Sequence, residues 1–560
     1  MVKSDRRTNP VVIVGWDGAS FDVIEPWLAA GELPNLQRLM AEGVSGKLRS
    51  TIHPMSGPAW ASFMTGKNPG QHGIFDWTRH VDGQYEPSLV NSASLHSKTM
   101  WEIANEAGRQ VGVVNVPVTY PPRALNGYLV SGLLTPSVKS QFTYPPALAD
   151  ELHRAADGYV IHGQAWYVEG KEAPCIEDTL TTLEKRGRAV LHLLREHPCD
   201  LNVFVFTATD SIQHRFWKYM DPDFPGYKPE YARHADAVLR VFRQADEILG
   251  QILSHLPPDG AVMVMSDHGA GPLHKLIFVN RWLMELGLLK LKDRRATHLK
   301  RWLVRNRVLI RGYNVLSKIG LTNLYLRIPR AQRSRVVSSF LTPDDVDWSR
   351  TKAYATGDFG QIRVNLRGRE PEGIVAPGQE YEDLVAFITE KLYELEDPET
   401  GERVVDRVYR KDEIYSGGCL DLAPDLLFAA QEYAYISSKH FGFEEDELIV
   451  RSDYANSGNH RQDGIFVAWK KGGIKRGETV CGAEIIDVAP TALYLMGVPI
   501  PDDMDGRVLT EILDGAYLAD HPVRRQRPAA PDGDQPPDGG YSDEDDEQVR
   551  RRLEDLGYLG

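Results

Sequence analysis

The sequence predicts an α/β fold built on a buried, mainly parallel sheet. Three observations carry this: short runs rich in Val, Ile and Phe recur along the chain, amphipathic segments with helical spacing separate them, and acidic residues follow several runs directly. At 560 residues and 42% apolar content, the chain is long enough for one large α/β domain with insertions or for two to four domains.

The first strand is VVIVG at 11–15. The polar, basic stretch before it has too short an apolar run for a signal-peptide core or a membrane span. Further strands are read at VGVVNV (111–116), LNVFVF (201–206), AVMVMS (261–266) and IFVAW (465–469). Helical patterns over 180–197 and 237–256 lie between them. In such sheets ligands bind beyond the carboxyl ends of the strands. Asp17 follows the first strand, Asp210 the run at 201–206, and Asp267 and His268 the run at 261–266, so three strands deliver metal-type residues to one edge.

Two stretches interrupt the βα pattern. Residues 293–345, including RRATHLKRWLVRNRVLIRGYNVLSKIG, are basic and helical in spacing. They are read as a helical insertion forming a solvated lid, with contact to an anionic membrane surface as the lesser alternative. Residues 346–430 mix YATGDFGQIRVNL with EYEDLVAFITEKLYEL and read as an α+β section. The core is thus split into 1–292 and a closing part, 431–516. A Pro-, Gly- and Asp-rich flexible linker follows at 517–541, then a C-terminal helix at 542–560 started by Ser542 and Asp545 as a capping box.

A net charge of −14 argues against nonspecific nucleic-acid binding, which needs clustered Lys and Arg. It is compatible with a phosphorylated substrate, because bound cations reverse the local field. Cys175, Cys199, Cys419 and Cys481 form no C-x-x-C pair, which suits reduced thiols and a cytoplasmic setting. Nothing here bears on oligomeric state.

Asp210 and His214 are spaced to share one helix face and hold one cation. The Asp267-His268 pair beside a core strand is costly unless paired or metal-bound, although Asp-His-Gly also suits a turn. His460 lies in a Gly- and Asn-rich loop and counts only in their company. Ser56 precedes GPAWASFMTG; it is either a helix N-cap or a hydroxyl that, touching a metal at a helix N-terminus, attacks phosphorus.

The order and local wording of Asp17, Ser56, Asp210, His214, Asp267, His268 and His460 resemble the alkaline phosphatase superfamily, within it the type I phosphodiesterase and nucleotide pyrophosphatase group. The resemblance covers roughly residues 10–290 and 430–515, including DVAPTALYLMGVPIPDDMDG (487–506). It implies an alkaline-phosphatase-like three-layer sandwich with a mainly parallel central sheet and an inserted helical and α+β section. It also implies that Asp210, His214 and His460 bind one divalent cation, that Asp17, Asp267 and His268 bind another, and that Ser56 lies between them as nucleophile and ligand. Zinc is the first choice for such mixed ligands and manganese the second.

The implied reaction is hydrolysis of a phosphodiester or other phosphorylated small molecule through a phosphoserine. The same residues would serve a phosphotransferase moving a phosphoryl or phospho-alcohol group to a glycan or lipid acceptor, or a phosphomonoesterase. The nucleotide pyrophosphatases usually have threonine where Ser56 stands. They have asparagine after the His-Gly-Ile motif, whereas QHGIFDW offers Asp76 and Trp77, with Arg79 as a replacement clamp. Sulfatases need an arginine where SGPAW has Trp60, and the serine context differs from that of the cofactor-independent phosphoglycerate mutases. Trp60, Trp77, Tyr120, Trp166 and Tyr167 are read mainly as core, with stacking on a base or sugar as the alternative. NVPVTYPP at 115–122 is either a pocket loop or a rigid connector.

Overall fold

A computed structural model describes residues 10–81, 83–163, 165, 167–305, 341–443, 445–452, 456–528 and 540–556. Its central sheet contains β1 (Val11–Trp16), β2 (Val44–Arg49), β3 (Val111–Val114), β4 (Gly127–Val130), β5 (Thr143–Tyr144), β6 (Leu201–Phe206), β7 (Ala261–Met265) and β8 (Asp463–Lys470). Their order across the sheet is β2, β8, β7, β1, β6, β3, β4, β5, with Glu478–Thr479 outside β2. β1, β3, β4, β6 and β7 run parallel, while β8 is antiparallel to both β2 and β7.

Position in the sheet explains the sequence pattern. β1 and β6, in the middle, are buried at every residue, so they read as unbroken apolar runs. β2, near the margin, alternates buried Val44, Gly46 and Leu48 with more exposed neighbours. Alternate residues of β1 feed two cores, Val11 and Ile13 on one side and Val12, Val14 and Trp16 on the other. The first core is covered by α1 (Ser56–Thr65) and the chain end around Val488–Leu495. The second is covered by α2 (Glu172–Glu196), α3 (Ala208–Met220) and α4 (Ala237–Ser254). The result is the expected three layers.

A second sheet has the order Ala353–Ala355, Gln361–Val364, Leu426–Ala430, Tyr435–Ser438, Lys275–Phe278, Ile449–Arg451, with Val405–Arg410 also paired to Leu426–Ala430. The α+β section therefore shares its sheet with strands on both sides of the boundaries read at 292 and 430. Lys275–Phe278 is only four residues long, too short for its sequence to show which sheet it joins. Helix Gln379–Tyr393 buries Leu384, Val385, Ile388 and Leu392 against this layer.

Of the basic insertion, Arg295–Arg305 is helical; 306–340, and with it most of the expected lid, lies outside the described residues. The expected linker is structured at its start. Gly515–Asp520 is helical, the His521 carbonyl accepts from the Tyr494 hydroxyl at 2.7 Å, and Arg525–Gln526 pairs with Ile500–Pro501. Local aromatic packing overrides its Pro-, Gly- and Asp-rich composition. The last helix, α5 (Asp543–Leu556), starts with the expected Ser542 cap, and Val549 and Leu553 bury it against the body. No helix among the described residues is long and apolar enough to cross a membrane.

Candidate active site

Sheet register sets the site. Gly15 pairs with both Val205 and Met265, so Asp17 leaves the sheet level with Thr207 and Asp267. Two glycines then let the elements close in. A Cβ at Gly15 would lie 2.5 Å from the Trp60 ring, so only glycine lets α1 sit this near β1. Gly18, at φ +67°, turns the chain so tightly that a Cβ there would meet Asp210 Oδ1 at 2.8 Å.

Ser56 is the first residue of α1 and Met55 is the N-cap, so the N-cap reading of Ser56 is corrected. Its Oγ is spent on His268 Nε2, 3.0 Å away, and the residue is fully buried. The Trp60 indole N–H, one turn on, donates to Asp17 Oδ2 at 3.2 Å.

The three histidines are oriented alike. His214 Nδ1 lies 2.9 Å from the Gly458 carbonyl, His268 Nδ1 2.9 Å from the Gly269 carbonyl, and His460 Nδ1 2.7 Å from the Pro54 carbonyl. A carbonyl only accepts, so each Nδ1 carries a proton and each ring turns its Nε2 toward the common centre. There His214 Nε2 stands 3.3 Å from Asp210 Oδ2 and 3.0 Å from His460 Nε2. His268 Nε2 stands 3.3 Å from Asp267 Oδ2 and 3.6 Å from Asp17 Oδ1. Phe359 stacks on the outer face of His460, its centroid 5.4 Å away.

Two groups of donor atoms result: Asp210, His268 and His460, and Asp17, Asp267 and His268. All seven residues singled out in the sequence meet here. The new point is that His268 belongs to both groups, while His214 joins through Asp210 and His460.

The electrostatics are unbalanced. Burial, then Asp267 and Asp210, push the Asp17 carboxyl well above its ordinary value, and burial likewise raises Asp267. Burial opposes ionisation of Asp210 too, but His214 and His460 outweigh it and hold that carboxyl low. Burial and His268 keep His460 well below the usual imidazole range. Asp17 Oδ1 and Asp267 Oδ2 are buried without hydrogen-bond partners, and the Nε2 atoms of His214 and His460 lie 3.0 Å apart. Buried acceptors packed together without donors are unfavourable unless cations lie among them, so these residues fit divalent metal ions.

Other polar groups brace the site. Thr209 Oγ1 donates to the Asp17 carbonyl at 2.6 Å, and Gln213 Nε2 donates to the Gly18 carbonyl at 2.9 Å. Both lie in the TATDSIQH stretch, but nothing in the sequence marks their partners. The bracing carbonyls of Pro54, Gly269 and Gly458 leave no side-chain signal either.

Asp76 and Trp77 pack against Gly57, next to Ser56; a Cβ at Gly57 would lie 3.3 Å from the Trp77 ring. Burial and the nearby Asp358 push the Asp76 carboxyl up to about 7. Asp76, Arg79, Gln361 and Lys439 line a cavity of about 700 Å³ that also includes Tyr85 and Trp348. Gln361 reaches the residue before the serine: its Nε2 donates to the Phe75 carbonyl at 3.3 Å and lies 3.9 Å from Met55 Sδ. Trp60 and Trp77 are core, Tyr167 bonds the Tyr219 hydroxyl, and Tyr120 stacks on Tyr541. Trp166 lies outside the described residues. The 115–122 loop is tied inward, Thr119 Oγ1 donating to the Val116 carbonyl and Tyr159 donating to Asn115 Oδ1, which suits the connector reading.

Comparison with known structures supports this architecture. Phosphonoacetate hydrolase from Sinorhizobium meliloti 1021, in complex with phosphonoacetate, aligns with 88% of this chain and 96% of its own at 14% identity and a TM-score of 0.50. The same enzyme with phosphonoformate gives 88%, 96%, 15% and 0.51. Human ectonucleotide pyrophosphatase/phosphodiesterase 5 aligns over 90% and 100% at 14% identity and 0.48. The first two establish a shared fold. No curated protein matches the sequence. The profile of type I phosphodiesterases/nucleotide pyrophosphatases matches residues 11–460, from the first strand to the last of the site histidines, and the chain belongs to that family.

Proposed function

We propose that this phosphoester hydrolase is a phosphodiesterase that works through a phosphoserine on Ser56, with two divalent cations, zinc in first place and manganese in second, held by the six Asp and His residues. The observation that carries this is the common orientation of the three histidines, each turned by a backbone carbonyl so that its Nε2 meets the carboxylates around Ser56. Membership of the family makes the chain a phosphodiesterase-type hydrolase, and the family is metal-dependent.

Asp210, His214 and His460 would hold one cation and Asp17, Asp267 and His268 the other, with Ser56 between them. When bound, the cations would lower the pKa of the attacking oxygen and take up phosphoryl charge. The protein's own residues supply position. The first turn of α1 directs its free amides toward the phosphoryl group, and Trp60 fixes Asp17. Ser56 Oγ forms the new bond to phosphorus as the bond to the leaving oxygen breaks, and that oxygen departs as an alcohol after taking up a proton. Water then displaces the seryl oxygen, releasing the phosphate product and restoring Ser56. The 700 Å³ cavity beside Asp76 gives room for an ester arm. A small phosphorylated molecule is the substrate class, and the four free cysteines support the expected cytoplasmic setting.

The test compares bis-p-nitrophenyl phosphate with p-nitrophenyl phosphate, using the zinc-loaded protein, the chelated protein and Ser56→Ala. A diester preference lost in both controls supports the reading. Monoester preference, or turnover unchanged in Ser56→Ala, would sink it.

A further inference from the structure

A second cavity, of about 280 Å³, lies against α3, bordered by Ser211 and Arg215, whereas Asp210 and His214 of the same helix face the metal-type cluster. α2 contributes Arg186 and Thr182, and α5 contributes Arg551 and Arg552. Four arginines thus line one small space in a chain whose net charge is −14, and the lining includes a single carboxylate, Asp178; Arg551 also pairs with Glu547 at 3.4 Å, and Arg215 donates to Cys175 Sγ at 3.6 Å. His162 also lines it; burial, with Arg552 and Arg186 beside it, holds that imidazole well below its ordinary value, so it adds no charge near neutrality.

Arg186 is the informative member. It is only 3% exposed, and its donors reach neutral oxygens: the Val160 carbonyl at 3.4 Å, the Ile161 carbonyl, and Thr207 Oγ1 at 2.9 Å. Among the described residues no carboxylate lies within ion-pair distance of it. Arg552 donates to the carbonyls of Thr135 and Pro136 at 2.7 and 2.8 Å. Burying Arg186 is costly without a counter-charge, and the adjoining cavity is where a counter-charge fits.

We propose that this cavity binds the phosphate group of a small phosphorylated molecule, held by Arg186, Arg215 and Arg551 with the hydroxyls of Thr182 and Ser211. Arginines lining one space from three helices match an anion with several oxygens better than a carboxylate with two. The N-terminal turn of α3, with Thr207 and Ala208 in the cavity wall, adds a favourable dipole. The site does not depend on the proposed reaction, because none of its residues belongs to the Ser56 centre. Because α5 contributes one wall, the ligand also pins the C-terminal helix to the body.

The test is thermal unfolding and titration calorimetry on the full-length protein with chelator present, so that bound metal does not contribute. The probes are inorganic phosphate and a hexose phosphate, with sodium chloride at matched ionic strength and the free hexose as controls. Either phosphate probe should raise the melting temperature where the controls do not, and the tighter of the two identifies the source. Arg186→Gln and Arg551→Glu should each weaken binding at least tenfold, and Ser56→Ala should leave it within twofold. Arg551, with a side chain 55% exposed, keeps the test usable if Arg186→Gln does not fold. No protection beyond that of chloride, or affinity undiminished in Arg551→Glu, would overturn the proposal. Loss of binding in Ser56→Ala would assign the anion to the Ser56 centre and overturn it equally.

Discussion

Two regions bury clusters of charged residues, and they differ in whether the charges cancel. Around Ser56, three carboxylates and three imidazoles crowd one centre, and Asp17 Oδ1 and Asp267 Oδ2 are buried without hydrogen-bond partners. In the second sheet, Arg369 grips Asp425 with two bonds of 2.8 and 2.6 Å, and Lys411 joins at 3.0 Å. Arg363 and Arg369 both bind Glu370. Against burial, Arg369, Lys411 and Arg363 hold the Asp425 carboxyl well below the carboxylate range, whereas Asp17 is pushed up. A cluster whose carboxylates are all paired with cations needs nothing further and fixes the fold. A cluster that does not cancel points to a ligand.

The largest expected effect tests the unbalanced side. Ser56→Ala should lower phosphodiester turnover by at least about 10³-fold, because a nucleophile's removal costs nearly the whole chemical step. Its melting temperature should stay close to wild type, since Oγ contributes one hydrogen bond, to His268. Chelation should also abolish turnover while lowering the melting temperature, since a bound ligand stabilises the folded state. Steady-state rates and melting curves for the three samples check this, and a stable, active chelated protein would remove the distinction between the regions.

The balanced side should respond in the opposite way. Arg369→Met removes the two-bond partner of Asp425 and a partner of Glu370, and should destabilise the protein by about 3 kcal/mol, leaving kcat per folded molecule unchanged. The pH dependence follows from the depressed carboxyl. Its contribution is complete above the unfolded value near 3.8 and disappears as pH falls through the lower folded value. Acid unfolding should therefore begin at higher pH in the variant. Urea titrations across pH 3–7 measure both effects, and a loss below about 1 kcal/mol would mean that Asp425 finds water instead.

What the sequence revealed follows the same division. Asp17, Asp210, Asp267 and His268 were legible because each lies within a few residues of the end of a buried strand, and a polar side chain just past a core run has few structural uses. Their convergence was legible because parallel strands share one carboxyl edge. The sharing of His268 between two donor groups was not, since it depends on side-chain directions at the strand end. The carbonyls that orient the histidines were equally hidden: Pro54 serves His460 from a distant part of the chain. Arg369 and Asp425 carried no signal either, because in one dimension they look like any solvated charges. The second sheet was misdivided for a related reason, as register between distant short strands is set by packing.

Asp76 lies between the regions, packed beside Gly57 and close to Asp358. Its carboxyl is raised to about 7, so the folded protein keeps it protonated while the unfolded chain ionises from 3.8. Stability should fall as pH rises across that interval and stay reduced above it. Asp76→Asn should remove the penalty, gaining roughly 1–3 kcal/mol at pH 8 and nothing at pH 4. Paired unfolding curves at the two pH values are the check. An equal effect at both would assign Asp76 to the balanced class.

The smallest effect gives the finest test of what balance means. Lys411 meets Asp425 from the edge of the cluster, its side chain 16% exposed, while Arg369 occupies both carboxylate oxygens. If charge balance holds the cluster, Arg369 suffices, and Lys411→Met should cost only about 1 kcal/mol. The Tyr381 hydroxyl, 3.0 Å from Asp425 Oδ1, remains to satisfy that oxygen. A double-mutant cycle with Arg369→Met separates the two contributions: coupling appears if each cation compensates for loss of the other, and additivity appears if each holds a different part of the fold. A Lys411→Met loss as large as that of Arg369→Met would show that geometry, and not net charge, sets this region apart from the site around Ser56.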